Sequence, residues 1–165
     1  MVGPVEIINK SKKYFFYILF AIFLFLVVFF TYNSNFYKKT SNQNFSEINY
    51  IKIRENIVKV DLALTSKEQE RGLSGRNELK NGEGMLFIFN KPAKYSFWMK
   101  EMNFPIDIIW IDEGFSVIYI KKNAEPLSYP EIFYPSLDAK YVLEVPALFS
   151  EKNNLEIGDF VKFLP

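Results

Sequence analysis

Near its N-terminus the chain carries a long apolar run. Residues 14–32 read YFFYILFAIFLFLVVFFTY and contain no charged side chain. As an α-helix this run would span about 28 Å, close to the roughly 30 Å hydrocarbon core of a bilayer. Tyr14, Tyr17 and Tyr32 lie near its ends, where a ring with a polar tip suits the membrane interface. A buried core helix that is apolar on every face would need a large protein around it, so we predict a single transmembrane helix over residues 14–32.

A cleaved signal peptide is the alternative to a retained anchor. Signal peptides have an apolar region of roughly 7–15 residues followed by small residues at the cleavage site. The apolar run is longer here, and residues 33–37 contain no Ala-x-Ala pattern, which favours a retained anchor. Three lysines lie in the short basic tail 1–13 and two, Lys38 and Lys39, follow the helix, so the positive-inside rule slightly favours a cytoplasmic N-terminus. We therefore expect the rest of the chain on the extracytoplasmic side.

Behind this helix the pattern of apolar and polar positions becomes that of β-structure. Residues 33–47 are rich in Asn, Ser and Lys without any periodicity, which is typical of a flexible stalk. From residue 48 onward, short stretches of alternating or continuous apolar residues are separated by turn residues, as strands are. The predicted strands are 49–53, 57–64, 85–89, 95–100, 106–112, 116–121, 141–145 and 160–164.

One or two short helices interrupt these strands. A helix begins at Thr65 or Ser66, where either hydroxyl can form a capping box with the Glu or Gln three residues later. Gly72 and Gly75 end this helix early. The fold class is therefore mainly β. We predict one domain over residues 48–165, a small, closed or nearly closed antiparallel barrel with one or two short helices.

Composition limits the chemistry of this domain. The 165 residues include no Cys and no His, which excludes disulfides, thiol nucleophiles, catalytic triads and nearly all zinc sites. Any chemistry must come from carboxylates, Lys, Tyr, Ser or Thr, or from a hard metal held by oxygen ligands. We assign no metal and no cofactor. Lys plus Arg is 20 and Asp plus Glu is 19, so no net charge indicates nucleic acid as a partner.

Two acidic residues stand in strands whose other members are apolar. These are Asp107 and Glu144. A buried carboxylate without a partner is costly, so each should be paired or hydrogen-bonded. Lys100 is the expected partner of Asp107 if a turn joins their two strands. Arg71 and Arg76 are candidates for bidentate pairing with one of the acids.

These charged residues, together with a tryptophan, define a candidate ligand pocket. Trp98 and Lys100 share one face of a strand by its period of two, and a Trp beside a cation is a usual wall for sugars or anions. An aromatic residue next to Met is, however, more often part of a core. The other alternative is a structural salt-bridge network that fixes the helix and loops to the barrel. The candidate ligand-binding residues are Arg71, Arg76, Trp98, Lys100, Asp107 and Glu144.

The same segments resemble the domain-of-unknown-function 192 family, small prokaryotic domains often exported behind a signal sequence or anchor. The matching motifs are ERGLSGR (70–76), GEGMLF (82–87), FWMK (97–100), PIDI (105–108), AKYVLEV (139–145) and IGD (157–159), in the family's order across roughly residues 56–163. Ser74 departs from the family pattern, which commonly has Met there. Residues 101–104 depart from its usual Asn-Thr and put the loop beside Lys100 in doubt. The resemblance implies a compact β-rich fold, supports export and implies no activity.

Two functions are compatible with these features. The first is a non-catalytic binding module of the cell envelope, anchored in the lipid bilayer through residues 14–32. Its Trp98–Lys100 surface would hold a small anionic or glycan ligand, or an envelope protein. The alternative is a hydrolase of envelope carbohydrate with Asp107 and Glu144 as an acid/base pair, their carboxyl groups about 5–5.5 Å or 6.5–9.5 Å apart. Small size and the absence of His favour binding, and an open pocket shared by both acids would favour the enzyme.

Overall fold

The computed structural model of the chain describes residues 17–31 and 45–165. The chain divides into two units, Met1–Asn44 and Phe45–Pro165. In the first unit residues 17–31 form an α-helix, α1, with exposed apolar side chains. The other parts of the predicted tail, membrane helix and stalk, namely residues 1–16 and 32–44, lie outside the described residues. Across residues 17–31 and 45–165, no helix is both long enough and apolar enough to span a bilayer.

The second unit is built on one curled sheet of seven strands. Their order across the sheet is β5–β4–β6–β3–β2–β1–β7. The strands are β1 (Tyr50–Ile53), β2 (Asn56–Ala63), β3 (Glu83–Ala93), β4 (Ile106–Ile111), β5 (Val117–Ala124), β6 (Ala139–Pro146) and β7 (Val161–Leu164). Two short helices accompany them, α2 (Ser66–Arg71) and α3 (Phe149–Lys152). The prediction of a mainly β domain with short helices is confirmed.

The sheet is a half-barrel whose two edges approach each other at one end. Ser116, before β5, forms a bridge with Phe160, before β7. The N–H of Val161 also donates to the carbonyl of Phe115 at 2.8 Å. These contacts join the edges only where β5 and β7 begin. The prediction of a barrel is therefore confirmed only as a curled, incompletely closed sheet.

The prediction of a wholly antiparallel sheet is wrong at one pair of strands. β2 and β3 are parallel, while the other neighbouring pairs are antiparallel. The chain between them contains α2, and a crossover through a helix returns the second strand in the direction of the first. The sequence pattern located both strands and the helix. It did not show that they form one crossover unit.

The predicted strand over residues 95–100 is also not formed. Within this stretch only Phe97 forms a β-bridge, with Phe133. The N–H group of each residue donates a hydrogen bond to the carbonyl of the other at 2.8 Å. The ring of Phe97 packs edge-on against Phe87 and Trp110, with centroids 4.9 and 5.7 Å away. The apolar residues here belong to a loop that covers the sheet, which explains why they resemble a strand.

The sheet separates two hydrophobic cores. One, the barrel core, draws members from all seven strands, including Ile51, Val60 and Val161. The other, the outer core, lies on the opposite face beneath the loops and includes Leu73 and Met99. β4 is buried along its whole length because it contributes to both cores. Its alternate residues therefore face different surroundings.

The folded unit begins three residues before the predicted boundary at residue 48. Phe45–Glu47 form a 3-10 turn. Phe45 packs on the barrel core, with its ring centroid 6.3 Å from that of Tyr141. Ile48 follows as a buried residue. The C-terminal end of the predicted stalk is thus part of the domain.

Candidate functional site

One wall of the candidate site is formed by α2 and the loop that follows it. Thr65 accepts a hydrogen bond from the N–H of Glu68 at 3.3 Å, and the Glu68 carboxylate accepts one from the N–H of Thr65 at 2.8 Å. The predicted capping box is therefore formed by this pair. The Gln69 amide donates to the carbonyl of Ile88 at 2.9 Å, which fastens the helix to β3. This fixes Arg71, the last residue of α2, above the outer core.

The facing wall is the loop that carries Tyr95 and Trp98. The ring of Tyr95 stacks on Phe89 at 3.5 Å between centroids. The hydroxyl of Ser74 donates to the carbonyl of Lys100 at 2.9 Å, which ties this loop to the one after α2. The two walls are therefore held both to the sheet and to each other.

Between the walls lies a cavity of about 170 Å³, which we call the aromatic cavity. It is lined by five aromatic side chains together with Arg71 and Glu144. The aromatic residues are Phe87, Phe89, Tyr95, Phe97 and Trp98. Gly72 also lines it, and a Cβ atom there would lie 3.3 Å from the Phe87 ring and 3.9 Å from Oε2 of Glu144.

A second depression, which we call the surface groove, adjoins the aromatic cavity and has a volume of about 340 Å³. Four residues line both spaces: Glu70, Arg71, Ser74 and Trp98. The surface groove adds two exposed lysines, Lys67 and Lys100, and the acidic residue Glu101. Trp98 is 48% exposed, so its ring is available to a ligand in either space.

Glu144 is a buried acid with one carboxyl oxygen that lacks a partner among the described residues. Its side chain is 5% exposed, and its Oε2 atom makes no hydrogen bond to any described residue. Burial raises the pKa of Glu144 to about 8, although the positive charge of Arg76 offsets part of this rise. The carboxyl group is therefore mostly protonated and neutral at pH 7. It can donate one hydrogen bond and accept others.

Asp107 is also buried, but both of its carboxylate oxygens accept hydrogen bonds. Its Oδ1 accepts from the N–H groups of Asn123 at 2.8 Å and Leu148 at 3.2 Å, and its Oδ2 accepts from that of Ser150 at 2.7 Å. It thus joins the end of β5 to the start of α3. The predicted partner Lys100 is wrong, because residues 95–100 do not lie beside β4 as a strand. Lys100 is instead exposed in the surface groove.

The two acids do not share a pocket. Asp107 is in register with Val145, and Glu144 with Ile108, on the neighbouring strands β4 and β6. Because successive side chains on a strand point to opposite faces, Asp107 faces the barrel core and Glu144 the outer core. An acid/base pair needs both carboxyl groups around one substrate, and this geometry separates them by the sheet.

Arg76 also lies outside the aromatic cavity and the surface groove. It pairs with Asp61 at 2.8 Å and lines a separate depression of about 100 Å³ with Lys59 and Glu83. The structure therefore brings four predicted residues together: Arg71, Trp98, Lys100 and Glu144. It leaves Arg76 and Asp107 elsewhere.

Sequence reasoning missed several residues that line the site. No sequence pattern distinguished Phe87, Phe89 and Phe97 as cavity residues, because strands and core loops are generally rich in Phe. Lys67 had a readable signal: it precedes Arg71 by four residues on the predicted helix, which places both cations on one face. Across residues 17–31 and 45–165, no group of three or more acidic side chains could hold a metal ion.

The fold and the site together define a small β half-barrel domain with a cavity of about 170 Å³ on its outer face. The chain belongs to the DUF192 family, described as "Uncharacterized ACR", whose model matches residues 49–163. The family resemblance noted in the sequence motifs is thereby confirmed. A comparison with curated proteins gives no match.

Two solved structures are similar to this chain. One is a protein of unknown function from Novosphingobium aromaticivorans, 32% identical, with a TM-score of 0.66 over 70% of this chain and 84% of its own. The other, from Sinorhizobium meliloti, is described as a candidate transcription regulator. It is 26% identical, with a TM-score of 0.66 over 69% of this chain and 92% of its own.

Proposed function

We propose that residues 45–165 form a non-catalytic binding module for a small ligand, held on the extracytoplasmic side of a membrane by residues 14–32. The observation that carries the binding function is the Oε2 atom of Glu144, which has no hydrogen-bond partner among the described residues and belongs to a side chain that lines the aromatic cavity. A buried polar group without a partner destabilises a fold, so its presence beside a cavity indicates a place where a ligand supplies the missing hydrogen bond.

The surroundings of Trp98 support a polar ligand, either a small molecule that carries an anionic group or a sugar. Its ring is half exposed between the aromatic cavity and the surface groove. Arg71 and Lys100 lie in the same groove and present hydrogen-bond donors to an anionic group or a hydroxyl. Binding is favoured over hydrolysis because Asp107 and Glu144 point to opposite faces of the sheet, which removes the acid/base pair of the alternative hypothesis.

A thermal-shift screen against sugars, nucleotides, amino acids and organic anions tests the binding function. The full chain in detergent and the piece 45–165 should both unfold at a higher temperature with the ligand, because a ligand that binds only the folded state stabilises it. Trp98→Ala should abolish the shift. The matched control is Leu127→Ala, an exposed residue that lines neither described space, and it should keep the shift. Absence of any shift across the screen would refute this function.

The membrane anchor is supported by the uncharged apolar run 14–32 and by the helix α1 within it. Because the chain has no Cys, single cysteines can report orientation. Leu127→Cys lies at a site that is 97% exposed and should react with a membrane-impermeant maleimide in intact cells. Lys12→Cys, in the tail, should react only after permeabilisation. The reverse pattern would mean that the domain faces the cytoplasm, and release by carbonate washing would mean that residues 14–32 do not anchor the chain.

A further inference from the structure

We propose, building on the binding function above, that the ligand is a small zwitterion. Its ammonium group lies among the aromatic rings beside Glu144, and its anionic group lies at Arg71 and Lys100. Small amino acids and amino-terminated acids have this chemistry.

The aromatic cavity favours a cation. Five of its lining side chains are aromatic, and the negative face of an aromatic ring attracts an ammonium group. Glu144 is the buried carboxyl group there and has no partner among the described residues. An ammonium group with three donors would supply the missing hydrogen bond and a charge that stabilises the carboxylate.

The surface groove favours an anion. Lys67, Arg71 and Lys100 line the surface groove, and none of them forms an ion pair with a described residue. Glu70 and Glu101 share this groove, so its excess is one positive charge. Arg71 lies at the junction with the aromatic cavity, where its guanidinium can hold a carboxylate or phosphate in bidentate fashion.

The two halves fit one molecule because they are continuous through Arg71 and Trp98. A cavity of about 170 Å³ is below the roughly 300–1,000 Å³ of pockets that enclose drug-sized ligands, which restricts the buried part to a small group. A molecule with a short chain between its two charges would place one in each half.

Protonation of Glu144 provides a signature that separates this ligand from an anion. An ammonium group binds the carboxylate form, so binding releases a proton and tightens as the pH rises. With a pKa of about 8, roughly a tenth of Glu144 is ionised at pH 7 and most of it at pH 9, so affinity should rise about tenfold. Around the cavity the other titratable groups are Glu70, Arg71 and Tyr95, and Arg76 acts on Glu144 from outside the cavity. Burial raises the pKa of Tyr95, so Tyr95 stays neutral in this range.

The test is calorimetric titration of the full chain in detergent with glycine, 3-aminopropanoate, 4-aminobutyrate and 6-aminohexanoate. Butylamine and butyrate serve as ligands with one charge only. At least one of the four zwitterions should bind more than tenfold tighter than either, with affinity rising about tenfold from pH 7 to pH 9. Glu144→Gln should remove this pH dependence and weaken the zwitterion at least tenfold at pH 9. Arg71→Gln should weaken the zwitterion and leave butylamine unaffected.

Two results would overturn the inference. The first is that butyrate binds as tightly as the zwitterions and that its affinity falls as the pH rises. This result would show that the site holds an anion beside protonated Glu144. No binding by any of the four zwitterions would also refute it. In either case a positive ligand in the broader thermal-shift screen would leave the binding function standing, whereas an empty screen would refute both.

Discussion

At the scale of single residues, Asp107 and Glu144 show how one residue type serves two purposes on neighbouring strands. Asp107 receives three main-chain hydrogen bonds, and Oε2 of Glu144 receives none from the described residues. Hydrogen bonds from main-chain N–H groups stabilise a charged carboxylate, while apolar surroundings favour the neutral acid. The first residue therefore organises the fold, and the second remains available to a ligand.

Glu144 should make the stability of the domain depend on pH. The folded state holds the proton up to about pH 8, whereas the unfolded chain releases it near 4.5, so the folded state binds more protons between these values. The contribution of Glu144 to the free energy of unfolding is fully present below pH 4.5 and is lost as the pH rises through 8. Between pH 5 and 9 the free energy of unfolding should fall by at most about 5 kcal/mol from this residue.

Urea denaturation of the wild type and Glu144→Gln across this pH range measures the effect. The variant should match the wild type at pH 5, lack the decline and be more stable at pH 9. Glu68 and Asp159 do not interfere, because hydrogen bonding lowers their pKa values and their contributions are lost only at lower pH. Tyr141, with a pKa raised to about 12, acts only above this range. Parallel pH profiles for the two proteins would show that Glu144 is not held neutral.

Asp107 should be essential for stability. Asp107→Ala leaves three N–H groups without their acceptor, one of them from the buried Ser150, and should lower the free energy of unfolding by about 3–5 kcal/mol. Asp107→Asn keeps one acceptor oxygen and should cost somewhat less. The control Asp61→Asn removes an exposed ion pair with Arg76 and should cost less than about 1 kcal/mol. Equal costs at both positions would contradict the structural role of Asp107.

The sequence could identify both acids because each interrupts an apolar strand. It could not assign their roles, since the donors to Asp107 come from residues 123, 148 and 150, which are distant in sequence or in different elements. Nor could it show that Glu144 lacks a partner, because that depends on how the loops close over the outer core. Trp98 and Lys100 both line the surface groove, although they lie on a loop and not, as predicted, on one face of a strand.

At the scale of secondary structure, the close approach of β3 to β6 determines where Glu144 lies. A Cβ atom on Gly84, in β3, would lie 2.8 Å from the backbone oxygen of Glu144 and 3.1 Å from a methyl group of Val58. The β6 backbone cannot rotate away as a side chain could. Glycine is therefore required at this point of β3 for packing.

Gly84→Ala should therefore separate β3 from β6 and destabilise the domain by about 1–3 kcal/mol. This separation would move the backbone of Glu144 and admit water to its carboxyl group. The pH midpoint of the stability decline should therefore also be lower. The control Gly114→Ala meets only the side chain of Asp112, at 3.3 Å, and should leave both quantities nearly unchanged. Thermal unfolding at several pH values measures both. A stable Gly84→Ala variant would contradict the packing described.

Strand positions were predictable from alternation, but the pairing of strands distant in sequence was not. The periodicity of residues 57–64 identified β2, whose neighbours are decided by contacts with β1 and β3. Residues 95–100 are as rich in apolar side chains as a strand because they cover a buried face of the sheet. They form a loop because they lie above the sheet and do not pair with its strands. The local pattern of apolar residues indicates which residues are buried, whereas the pairing of strands depends on the path of the whole chain.

At the scale of the whole molecule, residues 45–165 hold every described residue of the two cores. All seven strands of the sheet lie there as well. Binding and anchoring can therefore be studied separately, because the folded unit supplies the aromatic cavity and the surface groove without contributions from residues 17–31.

The start of this unit gives a final prediction. The piece 45–165 should unfold cooperatively on its own, and the piece 48–165 should be less stable by about 1–2 kcal/mol, because it lacks Phe45, which covers the barrel core beside Tyr141. Phe45→Ala in the longer piece should reproduce most of this loss, which separates packing of the ring from the effect of shortening the chain. Urea denaturation of the three proteins measures it. Equal stability of the two pieces would place the boundary at Ile48, and the turn at Phe45–Glu47 would then belong to the stalk.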